Sequence, residues 1–159
     1  MWLRSLTALL LLASLGAAGA AAQDAPTTPG GKAVLARQTH MKEVRNAAGA
    51  VGAELRKDAP DKAAVAASAA TLAGLAKQAP SWFPKGSGPE AGVKTAAKAE
   101  IWTDAAGFAA AATKLADETA KLQQVAAGGD IEAMRAQARA VGGACNTCHD
   151  KYRTAPEPK

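Results

Sequence analysis

Residues 130–153 read DIEAMRAQARAVGGACNTCHDKYR, and this stretch decides how the rest of the chain is organised. Asp130 is an N-cap residue type. Behind it Ile131, Met134, Ala138, Val141, Cys145, Cys148 and Tyr152 recur every three or four positions, the spacing of one face of an α-helix. Both cysteines therefore fall on an inward stripe. Gly142-Gly143 interrupts the helix interior, where each glycine costs roughly 1 kcal/mol against alanine; the pair points to something that approaches the backbone closely. Cys145-Asn146-Thr147-Cys148-His149 has the form C-x-x-C-H, the attachment signal of a c-type haem. On a helix, positions i, i+3 and i+4 share a face, so two thiols can form thioethers with two vinyl groups while the next residue turns an imidazole under the iron. Other uses of these residues fit less well. A redox C-x-x-C pair wants a helix N-terminus that follows a strand, a zinc site wants four ligands and only His40 could be added, and a structural disulfide leaves His149 without a role.

Working outward, the chain preceding Asp130 reads as three more helices. Ile101, Ala105, Phe108, Ala112, Leu115, Thr119, Leu122 and Ala126 step by threes and fours from about Ala99 to Ala127, ending at Gly128-Gly129. Asp61 to Ala79 carries Val65, Leu72 and Leu75 on one side and closes at Pro80. The first helix follows Pro29-Gly30-Gly31, places Val34, Gln38, Met41, Ala48, Gly52 and Leu55 on one stripe, and stops before Pro60. Between the second and third helices lies a long crossover, Pro80 to about Ala97, with three prolines and three glycines, expected to open more easily than the helices. The fold expected is all-α, an antiparallel up-down-up-down four-helix bundle. Composition agrees: 44 of 159 residues are alanine and only six are aromatic, which suits helices and argues against a sandwich or barrel. The core is thin, and a thin core calls for something bound to fill it.

The N-terminus reads as a secretory signal, residues 1–22, with a short basic start ending at Arg4, an apolar run from Leu6 to Leu15, and small residues up to Ala22. The apolar run is about half of the roughly 20 residues that span a membrane. Cleavage before Gln23 leaves residues 23–159 as one domain, exported, and periplasmic if the source is a Gram-negative bacterium. No later stretch is apolar enough for membrane insertion. The formal net charge is +5, or +4 without Arg4, and its Lys and Arg are interleaved with Asp and Glu rather than gathered into a stripe. Nucleic acid is therefore not expected as a partner.

A C-x-x-C-H motif on the last of four helices reverses the order of ordinary small cytochromes c, and here the chain resembles the class II c-type cytochromes, the cytochrome c′ family. The likeness rests on Arg37-Gln38, Trp82-Phe83-Pro84, Ile101-Trp102, and Val141-Gly142 followed by Cys145 to Arg153. It implies one covalent haem c with its iron, thioethers from Cys145 and Cys148, His149 as proximal iron ligand, Arg37 as partner of a haem propionate, and Arg153 beside the proximal imidazole. Tyr152, Trp82, Phe83 and Trp102 are expected to pack. Met41 stands at the position that faces the iron in this family, and two outcomes follow. If its sulfur bonds the iron, the protein is a low-spin electron carrier with His/Met ligation, meeting redox partner proteins. Otherwise it is a five-coordinate protein that binds small gases such as nitric oxide or carbon monoxide. Met-Lys-x-x-Arg-Asn at 41–46 resembles the low-spin branch, so the expectation is an electron carrier rather than an enzyme. His40 is turned some 100° from the stripe and reads as an exposed histidine. Relatives commonly pair through helices one and two, which implies a homodimer.

Overall fold

The computed structural model describes residues 26–155, so the leader at 1–22 and the last prolines lie outside the described residues. Four long helices are present where the apolar spacing predicts them. α1 spans Pro29–Leu55, α2 Lys62–Gln78, a single turn α3 Glu100–Thr103, α4 Ala105–Gly128 and α5 Ile131–Tyr152. Their ends follow from local chemistry. The Thr28 hydroxyl accepts from the Gly31 amide at 3.1 Å with Pro29 just behind it. Asp61 caps α2 through the Ala63 and Ala64 amides, and Asp130 caps α5 through Ala133 at 3.1 Å. α4 stops at Gly129, whose φ of 75° is the left-handed conformation glycine adopts freely.

The helices pack in the cyclic order α1, α2, α4, α5, and the α1–α5 seam is much the sparsest of the four. The apolar core lies at the end of the bundle where α1 finishes and α5 begins. It joins Val51 and Leu55 of α1, Val65 and Leu72 of α2, Leu122 and Ala126 of α4, and Met134 and Val141 of α5. Alanines between these residues let the helices approach closely. Arg135 Nε donates to the Leu55 carbonyl at 3.1 Å, completing the C-terminus of α1, which has no basic residue in its own last turn. No helix among the described residues is long and apolar enough to cross a membrane.

Two differences from the sequence expectations matter for the site. The third helix is not continuous: it breaks at Asp104, whose φ of −117° and ψ of 57° leave the helical region and make it the cap of α4. The crossover is also pinned rather than loose. Two 3₁₀ turns, Ala79–Trp82 and Pro89–Ala91, shape it. Trp102 Nε1 donates to the Phe83 and Pro84 carbonyls at 3.1 Å each, and Ala97 forms a bridge with Arg153. The proline and glycine count misses these partners because they come from side chains and segments distant in sequence.

Candidate haem site

At the end of the bundle opposite the core, α1 and α5 present their inward stripes with a different burial pattern. Along α5, Met134, Val141, Ala144 and Tyr152 are buried, but Cys145 and Cys148 are half-buried free thiols and His149 is exposed. Along α1, Val34, Arg37, Ala47 and Val51 are buried, whereas Met41 within the same stripe is 37% exposed. On this apolar stripe such exposure is out of place unless another group covers the methionine. Gly142 is on the same face as Cys145 and His149, and a Cβ built there would meet nothing within 4 Å. The expected close approach at the glycine pair is thus not made by this chain's own atoms. Two unpaired thiols three residues apart, an imidazole following them and a bare stretch of backbone are the donor set a covalent haem requires, and the residues fit the group.

Burial raises the pKa of both thiols, so Cys145 and Cys148 stay protonated. His149 is exposed, yet the protein around it desolvates the imidazole enough to hold its pKa below the ordinary value, and the Arg153 charge pushes the same way. Both effects favour the neutral ring, the form that coordinates metal. Arg153 is the C-cap of α5, with its backbone amide donating to the His149 carbonyl at 3.0 Å.

Arg37 has a fuller set of partners than the sequence suggested. It is 4% exposed and donates to the Trp82 carbonyl at 3.2 Å, the Ser87 hydroxyl at 2.9 Å, the Ser87 carbonyl at 2.8 Å and the Thr95 hydroxyl at 3.1 Å. Its guanidinium also lies 4.7 Å from the centre of the Phe83 ring. Four bonds from one fork tie α1 to both halves of the crossover, and Nε–H is the donor left over. The His40 side chain is 39% exposed, its ring stacks on Trp82 at 4.7 Å and its Nδ1 lies 3.2 Å from Glu43. Phe83, Phe108 and Tyr152 form a chain of edge contacts, as packing residues do.

Sequence reasoning missed Ser87, Thr95, Gly107 and Asp104. Asp104 accepts from the Tyr152 hydroxyl at 2.8 Å, the Lys151 ammonium at 2.5 Å and the Gly107 amide at 3.1 Å. These donors, Lys151 first, hold its pKa at about 2. Its signal was present as an N-cap residue type three positions before a glycine, but it was hidden within an unbroken apolar repeat.

The family profile described as Cytochrome C′ matches residues 32–153. Cytochrome c′ of Rubrivivax gelatinosus is 39% identical over 123 residues, 77% of this chain and 95% of that protein. Its crystal structure superposes with a TM-score of 0.72 at 36% identity, over 79% of this chain and 97% of that one. The nitric oxide complex of a point mutant of cytochrome c prime from Alcaligenes xylosoxidans superposes with a TM-score of 0.71 at 30% identity, over 79% of this chain and 97% of that one. A cytochrome c′ with an unusual ligand-controlled dimer dissociation gives 0.74 at 27% identity, over 80% and 98%. These relatives overturn the expected low-spin carrier with iron between His149 and Met41, because cytochromes c′ are the high-spin, five-coordinate type, and one of them holds nitric oxide. A methionine in the distal position is compatible with either type, and the Met-Lys-x-x-Arg-Asn surroundings were too short a signal to choose. The chain belongs to the cytochrome c′ family, four-helix haem proteins that carry one covalently bound haem c with its iron.

Proposed function

We propose that the chain is an exported, five-coordinate haem protein that binds small gases such as nitric oxide or carbon monoxide. Cys145 and Cys148 would hold the haem covalently through thioethers and His149 would ligate its iron, and the group would supply an iron able to take a small gas. Met41 is a wall of the pocket on the α1 side, Arg37 holds the crossover over that pocket, and the remaining Nε–H of Arg37 is the donor available to a propionate. One observation carries the reading: between buried Arg37 and half-buried Val44 the inward stripe of α1 offers the apolar Met41 and Gln38, whose amide donates to the Lys94 carbonyl at 2.9 Å, while His40 is engaged by Trp82 and Glu43. Such a wall admits a diatomic ligand and gives no proton to it, which disfavours peroxidase or oxygenase chemistry.

Visible spectra of the purified ferric and ferrous protein, with and without carbon monoxide, test this. A high-spin spectrum that responds to carbon monoxide is expected, and Met41→Leu leaves the spin state unchanged. A low-spin spectrum indifferent to carbon monoxide overturns the reading. The mature chain is expected to begin at Gln23 and to be recovered from the exported fraction. α1 and α2 are the faces for a homodimer, with Leu35 exposed on α1; sedimentation with and without carbon monoxide checks it.

A further inference from the structure

A histidine that binds metal ordinarily donates its second ring N–H to a carbonyl or carboxylate, which fixes the ring's orientation. Among the described residues the His149 ring makes no such bond, so the imidazole is aimed only by the turn of helix that carries it. That turn is held from two sides. On its backbone, the Lys98 amide donates to the Tyr152 carbonyl at 3.0 Å and the Thr154 amide to the Ala96 carbonyl at 2.8 Å. On its side chains, Tyr152 and Lys151 both end on one oxygen of Asp104.

Asp104 is well placed to act as a fixed point. It stands at the break between α3 and α4, its other oxygen is committed to the Gly107 amide, and its backbone amide donates to the Glu100 carbonyl at 2.8 Å. The phenol reaches it only because residue 107 is glycine: a Cβ there would lie 2.5 Å from the Tyr152 oxygen and collide with the Asp104 carboxylate. Tyr152 is 4% exposed and wedged edge-on against Phe108, so its hydroxyl has little freedom to find another partner. The break in the helix, the glycine, the carboxylate and the phenol form one device whose output is the position of the last turn of α5.

We propose that Asp104 is a positioning residue for the proximal imidazole, acting through Tyr152 and Lys151 in place of a hydrogen bond to the ring itself. This rests on His149 being the iron ligand. The clamp restrains the position of the His149 imidazole and would thereby tune how readily a bound haem takes a ligand.

The test uses haem-loaded protein carrying Tyr152→Phe, Asp104→Asn or both, with Glu118→Gln as a control on the same helix pair. The readouts are the iron–histidine stretching band of the ferrous form, the reduction potential, carbon monoxide affinity, and melting temperature. Asp104→Asn is expected to move the band and change the affinity about fivefold, the net size of one ordinary hydrogen bond. Tyr152→Phe should do the same to a smaller degree, the pair no more than Asp104→Asn alone, and Glu118→Gln should leave band and affinity unchanged. If the variants only melt earlier, with band, potential and affinity as in the unaltered protein, the clamp is structural and the proposal falls. Should Asp104→Asn fail to fold, Tyr152→Phe decides alone, since it keeps the aromatic wedge and the cap. An unaltered protein without the band overturns the ligand assignment and the clamp together; a band that the variants leave in place overturns the clamp alone.

Discussion

The two ends of the bundle are built by different means. Where α1 finishes and α5 begins, Val65, Leu72, Leu122 and Met134 are nearly or wholly buried, and the charges nearby pair locally, Lys57 with Glu54 and Arg135 with Glu132 at 2.6 Å each. Cohesion there is apolar burial between alanine-rich helices, which is non-directional. Of the three buried polar or charged residues among the described ones, Thr119 lies one turn from Leu122 and bonds carbonyls of its own helix, whereas at the other end Arg37 and Ser87 hold the crossover through directional bonds. Burial draws helices together; directional bonds can hold them at a set distance around another group. An end that must accept a porphyrin is therefore framed by an arginine fork, a carboxylate clamp and edge-on aromatics, and leaves its thiols half-buried and its methionine exposed.

The largest expected effect breaks that division. Cys145→Ala with Cys148→Ala removes both thiols, hence the covalent haem, and with it the apolar surface that completes the framed end. Little stably folded protein should accumulate, and hydrogen exchange on what remains should show protection around Leu122 and Met134 outlasting that around Met41 and Tyr152. A haem-free double variant with native protection at both ends would show that the framed end needs nothing bound. Next in size is Leu122→Ala at the packed end, expected to cost about 2–5 kcal/mol in denaturant unfolding of the holoprotein. Its visible spectrum and carbon monoxide affinity should not change, and a change in either would mean that the two ends are coupled through the core.

The same division explains what the sequence made legible. The Asp130 cap, the glycine stop of the third helix and the C-x-x-C-H motif follow from neighbours within a turn or two, as do the helix periods apart from the break at Asp104. Asp104, Ser87 and Thr95 are not legible in this way. Their partners lie 48 residues away at Tyr152, and 50 and 58 residues from Arg37. Nothing in local spacing distinguishes a serine in a proline-rich crossover from one that receives a buried guanidinium. Met41 shares the periodicity of the α1 stripe, but stripe position cannot tell a ligand from a wall, because both face the same way.

The smallest expected effect concerns acid. Asp104 titrates at about 2 in the folded protein against an ordinary 3.8, held down by Lys151, Tyr152 and the Gly107 amide in that order. A carboxylate depressed in the native state contributes stability that is complete above its unfolded value and is lost as the pH falls from about 4 toward 2. Glu54 at the packed end, lowered first by Lys57, and Glu118 between α4 and α5, lowered first by Gln137, lose stability in the same direction. Acid therefore loosens both ends, and the difference between the unaltered protein and Asp104→Asn isolates the framed one. The variant should be less stable at neutral pH, and the gap should narrow on acidification, closing near pH 2. The gap is expected to be small, since Lys151 and Asp104 are both partly exposed and water screens their attraction. About 1 M salt, with a screening length near 3 Å, should shrink it further. What salt leaves behind is the contribution of the Tyr152 hydroxyl, whose bond to Asp104 is sheltered against Phe108. A gap that salt abolishes entirely would assign the clamp's strength to Lys151 and remove Tyr152 from it.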